Sequence, residues 1–226
     1  MSDKIAVVCD FDGTITIRDI GHHFFESFVP DTASWVELLE KWKLGLISSR
    51  ECLQREVASI SATRDDLDEF IEDEKFDPYF KDFVDFSNRR NYDFLILSDG
   101  MDYYIESMLM RFGFGYLEFR ANHLVFGSSG EIESVEFPFY GLSNGCTMCG
   151  DCKRFHLQQL KEKGFFTVYV GNGYSDRCAS EHADLVFAKD DLLVHMKQKG
   201  LDHVEFRNFR DVERSLMGKF YISGQE

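Results

Sequence analysis

Near its start the 226-residue chain carries a run of five apolar residues without polar alternation, Ile5–Cys9. Such a run is typical of a β-strand buried on both faces, as in parallel sheets covered by helices. The sequence predicts further strands at 92–98, 117–122, 166–170 and 185–188, a hairpin at 123–137, and helices at 102–112 and 153–163. Because strands and helices alternate in the last third, we expect an α/β fold with a Rossmann-like parallel sheet.

Residues 15–90 are mostly helical in pattern and interrupt this alternation. Ser48-x-x-Glu51 has the form of a capping box that opens a helix over 49–60, and Asp77-Pro78 is a typical start for a helix over 78–90. We therefore predict a core domain formed by residues 1–14 and 91–226, with a small helical cap domain inserted at residues 15–90.

The charge of the chain limits its partners. Forty Asp and Glu stand against 25 Lys and Arg, which gives a net charge of −15. Nucleic-acid backbones and anionic membranes both attract clustered basic side chains, so we expect neither as a partner. No apolar run approaches the ~20 residues of a spanning helix, and the N-terminus lacks the pattern of a signal peptide. Six cysteines are too few for a disulfide scaffold, and we expect a cytoplasmic protein. The sequence does not indicate an oligomeric state.

Polar residues follow the predicted strands where a ligand would bind. Ligands of open parallel sheets lie beyond the carboxyl ends of the strands. There the chain places Asp10 to Thr14 (DFDGT), Ser98-Asp99-Gly100, and the segment from Gly171 to Asp176 (GNGYSD), and Lys153 begins a predicted helix.

These groups suit phosphoryl transfer, in which positioning and charge neutralisation do most of the work. Two carboxylates two residues apart, Asp10 and Asp12, repel each other unless a cation or a proton lies between them. Mg²⁺ prefers oxygen ligands and commonly bridges a carboxylate and a phosphate. One carboxylate could act as a nucleophile that forms an aspartyl-phosphate, and the other could act as general acid and base.

In these four segments and their order, the whole chain resembles the haloacid dehalogenase (HAD) superfamily of phosphatases. The resemblance implies the HAD fold and a small-molecule phosphate ester as substrate. It implies Asp10 as nucleophile and Mg²⁺ ligand, and Asp12 as general acid/base that gives its main-chain carbonyl to the metal. Ser98 and Lys153 would hold the phosphoryl group, together with the neighbouring residues Phe11, Asp99 and Gly100. The metal site would be completed by Asn172 and Asp176.

The insertion resembles the helical cap of the phosphoserine-phosphatase-like branch. Within it, the segments 145–153 (GCTMCGDCK) and 183–193 are most similar to the 2-hydroxy-3-keto-5-methylthiopentenyl-1-phosphate phosphatases of methionine salvage. Vertebrate phosphocholine/phosphoethanolamine phosphatases are similar around Lys153. Phosphoserine, phosphocholine-like esters and vitamin phosphates therefore stay open as substrates, and in the cap Asp19, Arg50 and Arg55 are candidates for selecting the substrate's far end.

One departure from the family pattern concerns the metal. The fourth motif usually has Asp where this chain has Asn172. An amide oxygen can still bind Mg²⁺, but the site carries one negative charge fewer, and Asp176 is placed to compensate directly or through water.

A second metal site is suggested by Cys146, Cys149, Cys152 and His156, four soft ligands within 11 residues. They could bind a structural zinc ion, since Cys152 and His156 would share a helix face. The spacing also resembles the start of an iron–sulfur run. The alternative is a loop of reduced or redox-labile thiols.

Two other functions remain open at this level. A phosphomutase of the same superfamily would return the phosphoryl group to its substrate before water attacks. The second alternative is a non-catalytic interaction protein based on metal or thiol binding, which Asn172 and the cysteine cluster suggest.

Overall fold

The computed structural model describes residues 4–142 and 147–221. Seven strands form one sheet in the order β4-β3-β2-β1-β5-β6-β7, and all neighbouring pairs are parallel except the antiparallel β3–β4 pair. The strands are β1 Ile5–Cys9, β2 Asp93–Met101, β3 Glu118–Phe126, β4 Ile132–Glu136, β5 Phe166–Gly171, β6 Leu185–Ala188 and β7 Val204–Glu205. The expected α/β fold with a mainly parallel sheet is confirmed.

Ten α-helices accompany the sheet in the described residues. They are α1 Ile20–Phe28, α2 Thr32–Lys43, α3 Ser49–Ser59, α4 Arg64–Ile71, α5 Phe80–Arg89, α6 Asp102–Arg111, α7 Lys153–Glu162, α8 Arg177–Ser180, α9 Asp190–Lys199 and α10 Phe209–Tyr221. Ser48 caps α3 by accepting a hydrogen bond from the Glu51 N–H, as its spacing predicts. None of these helices is both long and apolar enough to cross a membrane.

The central strands are covered on both faces of the sheet. Successive side chains of a strand point to opposite faces, so they enter two different apolar clusters. In β1, Val7 packs into the cluster that contains Ile105 and Phe209, which belong to α6 and α10. Its neighbour Val8 packs on the other face, with Leu157 of α7 and Leu192 of α9. This double cover explains the unbroken apolar run of β1.

Two antiparallel segments, residues 15–17 and 75–77, connect the insertion to the core, and we call them the neck. Thr16 bridges Phe76 in antiparallel fashion, and the Ile17 N–H donates to the Lys75 carbonyl at 2.9 Å. Helix α5 follows this neck and packs with the core, since its Phe80 and Phe83 rings each lie 5.1 Å from the Phe209 ring. The division at residues 14 and 91 stays a prediction, and this packing places α5 with the helices that cover the sheet.

A second connection joins the insertion to the β3–β4 hairpin. Thr63 bridges Glu131, the Arg64 N–H donates to the Gly130 carbonyl at 2.8 Å, and the Ile132 N–H donates to the Ala62 carbonyl at 2.9 Å. The insertion is therefore hydrogen-bonded to the core at the neck and again where residues 62–64 meet residues 130–132 of the hairpin, a contact that we call the clasp.

Candidate active site

Three loops converge at the carboxyl edge of the sheet because β2, β1 and β5 are neighbours. Asp10 and Asp12 follow β1, Ser98 lies near the end of β2, and Asn172 follows β5. A fourth element, α7, brings Lys153 to the same place at its first turn. Residues far apart in the chain thus meet in one site, as a parallel sheet requires.

Asp10 is a buried carboxylate held against a lysine. Its Oδ1 accepts a hydrogen bond from Lys153 Nζ at 2.6 Å, and its backbone N–H donates to the Val170 carbonyl of β5 at 2.9 Å. Burial raises the pKa of Asp10, the charge of Asp176 raises it further, and Lys153 opposes both effects. Asp10 is therefore fixed in position before any substrate binds.

Asp12 accepts hydrogen bonds on both oxygens. Its Oδ2 accepts from the Tyr104 hydroxyl at 2.7 Å and the Ser98 hydroxyl at 3.1 Å. Its Oδ1 accepts from the Ile20 N–H at 3.1 Å and more weakly from that of Gly21 at 3.4 Å. Burial and then the charge of Asp19 raise the pKa of Asp12 to about 7, although these donors lower it. A carboxyl group with such a pKa can both give and take a proton near neutral pH.

Lys153 is buried between two carboxylates. Its Nζ lies 2.6 Å from Asp10 and 2.7 Å from Asp176, and it also donates to Ser175 Oγ at 3.3 Å. Burial lowers the pKa of Lys153, but the charges of Asp10 and Asp176 outweigh it and the net shift is upward. The lysine therefore stays protonated and supplies a fixed positive charge.

Asp176 organises the loop after β5. Its Oδ2 accepts from the N–H groups of Asn172 and Gly173, both at 2.9 Å, and its Oδ1 accepts from Lys153 and the Tyr169 hydroxyl, at 2.7 and 2.6 Å. Protein donors thus engage both oxygens. The geometry favours a role in positioning Lys153 and the loop over direct ligation of a metal.

Asn172 faces the Asp10 side of the site through Thr14. The Thr14 hydroxyl lies 2.9 Å from Asn172 Oδ1 and 3.4 Å from Asp10 Oδ2. These two oxygens therefore lie around one hydroxyl group. Gly13 permits this approach, since it has a φ of +69° and an added Cβ would lie 2.5 Å from Asn172 Nδ2.

The β2 loop places small groups beside Asp12. The Gly100 N–H donates to Ser98 Oγ at 2.9 Å, and a Cβ at Gly100 would lie 2.6 Å from Asp12 Oδ2. Asp99 also lines the cavity, and its Oδ1 accepts from the Asp151 N–H at 2.6 Å. Burial raises the pKa of Asp99 to about 6, with Lys153 opposing. The Phe11 side chain is buried against the Phe76 ring at 5.8 Å, so only its backbone can face a phosphate.

The cysteine segment gives no support for zinc. Cys146 lies outside the described residues. His156 Nε2 is 3.0 Å from Asp151 Oδ1, and its ring packs on Phe139 at 4.9 Å. Within residues 4–142 and 147–221 no three His, Cys, Asp or Glu side chains form a group that could hold a metal ion, so Cys149, Cys152 and His156 do not converge as zinc ligands.

Two tyrosines of the site were missed by sequence reasoning. Tyr104 is fully buried in the core, and its hydroxyl reaches Asp12. Tyr169 lies within β5 and bonds Asp176. A buried tyrosine usually needs a hydrogen-bond partner for its hydroxyl, which is the signal that could have found both.

A family model described as haloacid dehalogenase-like hydrolase matches residues 7–181. The chain belongs to this family. The match spans the Asp10, Ser98, Lys153 and Asn172 segments, and it confirms the predicted family and its hydrolase class.

Relatives within the HAD-like family cover nearly the whole chain. A 2-hydroxy-3-keto-5-methylthiopentenyl-1-phosphate phosphatase of Bacillus velezensis is 30% identical, over 93% of this chain and 88% of its own length. One of Bacillus pumilus is 32% identical, over 93% and 90%. A solved structure of a phospho-aspartyl intermediate analogue of phosphoserine phosphatase has a TM-score of 0.73 at 18% identity, over 94% of this chain and 98% of that chain. This structural likeness shows the common HAD fold.

Proposed function

We propose that the protein is a Mg²⁺-dependent phosphomonoesterase that hydrolyses the phosphate ester of a small metabolite through an aspartyl-phosphate on Asp10. The observation that carries the proposal is the contact of Lys153 with Asp10, beside an Asp12 that both Ser98 and Tyr104 hold in place. A nucleophile and an acid/base group thus line one cavity, and a fixed positive charge lies in contact with the nucleophile.

The residues suggest a two-step reaction. In the first step an Asp10 oxygen bonds to phosphorus, the ester P–O bond breaks, and Asp12 gives its proton to the leaving oxygen. In the second step Asp12 takes a proton from water, whose oxygen bonds to phosphorus and releases phosphate and free Asp10. Lys153 and the Ser98 hydroxyl hold the phosphoryl oxygens throughout.

The oxygens of the site fit a magnesium ion. Asp10 and Asn172 present oxygens around the same Thr14 hydroxyl, and the main-chain carbonyl of Asp12 follows within two residues. Mg²⁺ typically uses one or two carboxylates and completes its shell with waters and substrate phosphate. We propose these three oxygens as ligands of an ion that would neutralise charge on the phosphoryl group.

The substrate binds, in this proposal, in a cavity of about 150 Å³ between the sheet edge and the insertion. This size suits a small metabolite. On the insertion side the cavity is lined by the apolar side chains of Phe25, Leu39, Trp42 and Leu53. Such a wall suits the methylthio group of 2-hydroxy-3-keto-5-methylthiopentenyl-1-phosphate, the substrate named for both Bacillus relatives. We propose this ester as substrate, which would place the protein in methionine salvage in the cytoplasm.

The test is phosphate release from a metabolite panel containing this ester, phosphoserine, phosphocholine and phosphoethanolamine, with and without Mg²⁺. We expect Mg²⁺-dependent release, highest with the methylthio ester, and a loss of at least about 10³-fold in Asp10→Asn, which lacks the nucleophile. Absence of turnover on every ester would refute the phosphatase proposal. Transfer of phosphate between sugar positions without release would favour the phosphomutase.

A further inference from the structure

Among the described residues, no Lys or Arg lines the insertion side of the cavity; its titratable residues are Asp19, His22, Cys52 and Glu56. The two arginines considered for substrate selection are engaged elsewhere. Arg50 lies over the Tyr140 ring at 4.5 Å, and Arg55 pairs with Glu51 on the exposed side of α3. A substrate carboxylate or second phosphate would find no Lys or Arg partner among the described residues of this wall.

Glu56 is the buried carboxyl group of this wall. Its Oε1 accepts a hydrogen bond from the Trp35 indole N–H at 2.8 Å, and its Oε2 lies 3.9 Å from Cys52 Sγ. Both partners are neutral, and Glu56 forms no ion pair within the described residues. Trp35 and Cys52 therefore hold the carboxyl group at the cavity without compensating a negative charge.

A buried carboxyl group without a cation favours its neutral form, because burial penalises the ion. Here burial, and then the charge of Asp19, raise the pKa of Glu56 to about 7. The neutral form carries an O–H that needs an acceptor. A hydroxyl or carbonyl oxygen of a substrate can provide one, whereas an anionic group would lie near the negative charge of Asp19 with no Lys or Arg among the described residues of this wall to neutralise it.

Building on the phosphatase function proposed above, we propose that Glu56 selects the leaving group of the substrate. Its carboxyl group donates a hydrogen bond to a neutral oxygen of the ester and excludes esters that carry a second anionic group. The substrate class is therefore a monophosphate with an uncharged, oxygen-bearing and partly apolar leaving group.

The first test compares four esters of equal chain length on the wild-type enzyme with Mg²⁺: 4-hydroxybutyl, butyl, 3-carboxypropyl and 4-aminobutyl phosphate. We expect kcat/KM for the hydroxyl ester to exceed that of the butyl ester several-fold and that of the carboxylate ester by roughly 10- to 100-fold. Equal rates for the hydroxyl and carboxylate esters would overturn the inference, and so would a preference for the amine. Hydrolysis of none of the esters would overturn the phosphatase function and this inference with it.

The second test uses substitutions at Glu56. Glu56→Gln keeps a neutral donor and should keep the preference for hydroxyl over butyl. Glu56→Lys should shift the carboxylate-to-hydroxyl ratio of kcat/KM towards the carboxylate at least about tenfold. The control Glu40→Lys makes the same charge change on exposed α2, outside the cavity, and should leave the ratio unchanged. If Glu56 had a purely structural role, its substitution would lower kcat/KM for all four esters together, and this result would contradict the proposal. If the Glu56→Lys variant does not fold, the comparison of wild type with Glu56→Gln decides between the two.

Discussion

At the scale of single residues, the site depends on one lysine shared by two acids. Lys153, Asp10 and Asp176 are all buried, and their charges sum to −1 before any metal or substrate arrives. Each carboxylate carries a desolvation cost that Lys153 offsets. The same residue that would bind the phosphoryl group therefore also stabilises the two buried carboxylates.

We predict that Lys153→Met lowers the free energy of unfolding by about 3–5 kcal/mol, because it leaves two buried carboxylates without a cation. Urea denaturation at pH 7 measures the change. Lys163→Met, on an exposed side chain at the end of α7, should change stability by no more than about 0.5 kcal/mol. Adding Asp176→Asn to the Lys153 variant should recover part of the loss; a further loss would contradict the charge-pairing explanation.

A second residue-scale prediction concerns pH. Glu56 has a pKa raised by burial from its usual 4.5 to about 7, so the folded protein binds this proton more tightly than the unfolded chain does. The contribution of this proton to the free energy of unfolding is complete below pH 4.5. It is lost as the pH rises through 7, by on the order of 3 kcal/mol. The Gln variant lacks this proton, so its stability relative to wild type should improve between pH 5 and pH 8. Denaturation curves at both pH values measure this, and a parallel pH dependence in the two proteins would refute it.

At the scale of elements, a hydrogen-bonded series connects the insertion to the core. Trp42 of α2 donates its indole N–H to Ser49 Oγ at 2.9 Å. Ser49, at the start of α3, lies near Asp99 of β2 and lowers the pKa of that carboxyl group, and its N–H donates to the Met148 carbonyl at 2.7 Å. Asp99 in turn accepts from the Asp151 N–H, two residues before Lys153. The cavity wall and the lysine loop are thus joined through one serine.

We predict that Ser49→Ala weakens this connection and lowers kcat/KM for the preferred ester by roughly 5- to 20-fold, mainly through KM, with a stability loss of about 1 kcal/mol. Steady-state kinetics with Mg²⁺ give the two constants separately. Ser27→Ala on α1, whose hydroxyl bonds only its own helix at the His23 carbonyl, is the matched control. A fall in kcat with KM unchanged would show that Ser49 does not help to shape the cavity.

The elements also show how far sequence reasoning reaches. The strands β1, β2, β5 and β6 and the DFDGT segment followed from local apolar runs and their polar ends. The boundary of the insertion at residues 14 and 91 stays a prediction, because α5 has a helical pattern like its predecessors and the neck at Thr16 and Phe76 lies before it. Tyr104 and Glu56 were missed since their roles arise from long-range partners, Asp12 and Trp35, that no local pattern contains.

At the scale of the whole molecule, the net charge of −15 acts against compactness. Like charges over the surface repel, and salt screens that repulsion. We predict that raising NaCl from about 0.02 to 0.3 M at pH 8 increases Tm by a few degrees, and that the increase is smaller at pH 5, where part of the carboxylates are protonated. Differential scanning calorimetry measures Tm. Choline chloride should raise Tm by the same amount. A fall in Tm with either salt would show that exposed ion pairs outweigh the repulsion between like charges.

The two connections between insertion and core restrict how a molecule can reach the cavity. With the neck fixed at residues 15–17 and 75–77 and the clasp fixed at residues 62–64, α3 and α4 cannot swing away as a rigid lid. Since the first turn of α1 is also hydrogen-bonded to Asp12, we expect entry to depend on outward movement of α2, whose Leu39 and Trp42 form part of the apolar wall. Amide hydrogen exchange should accordingly be faster in α2 than in α4, and saturating phosphate with Mg²⁺ should slow it in α2 first. Access to the cavity would then be controlled by a single helix, α2, while α1, α3 and α4 keep their connections to the core.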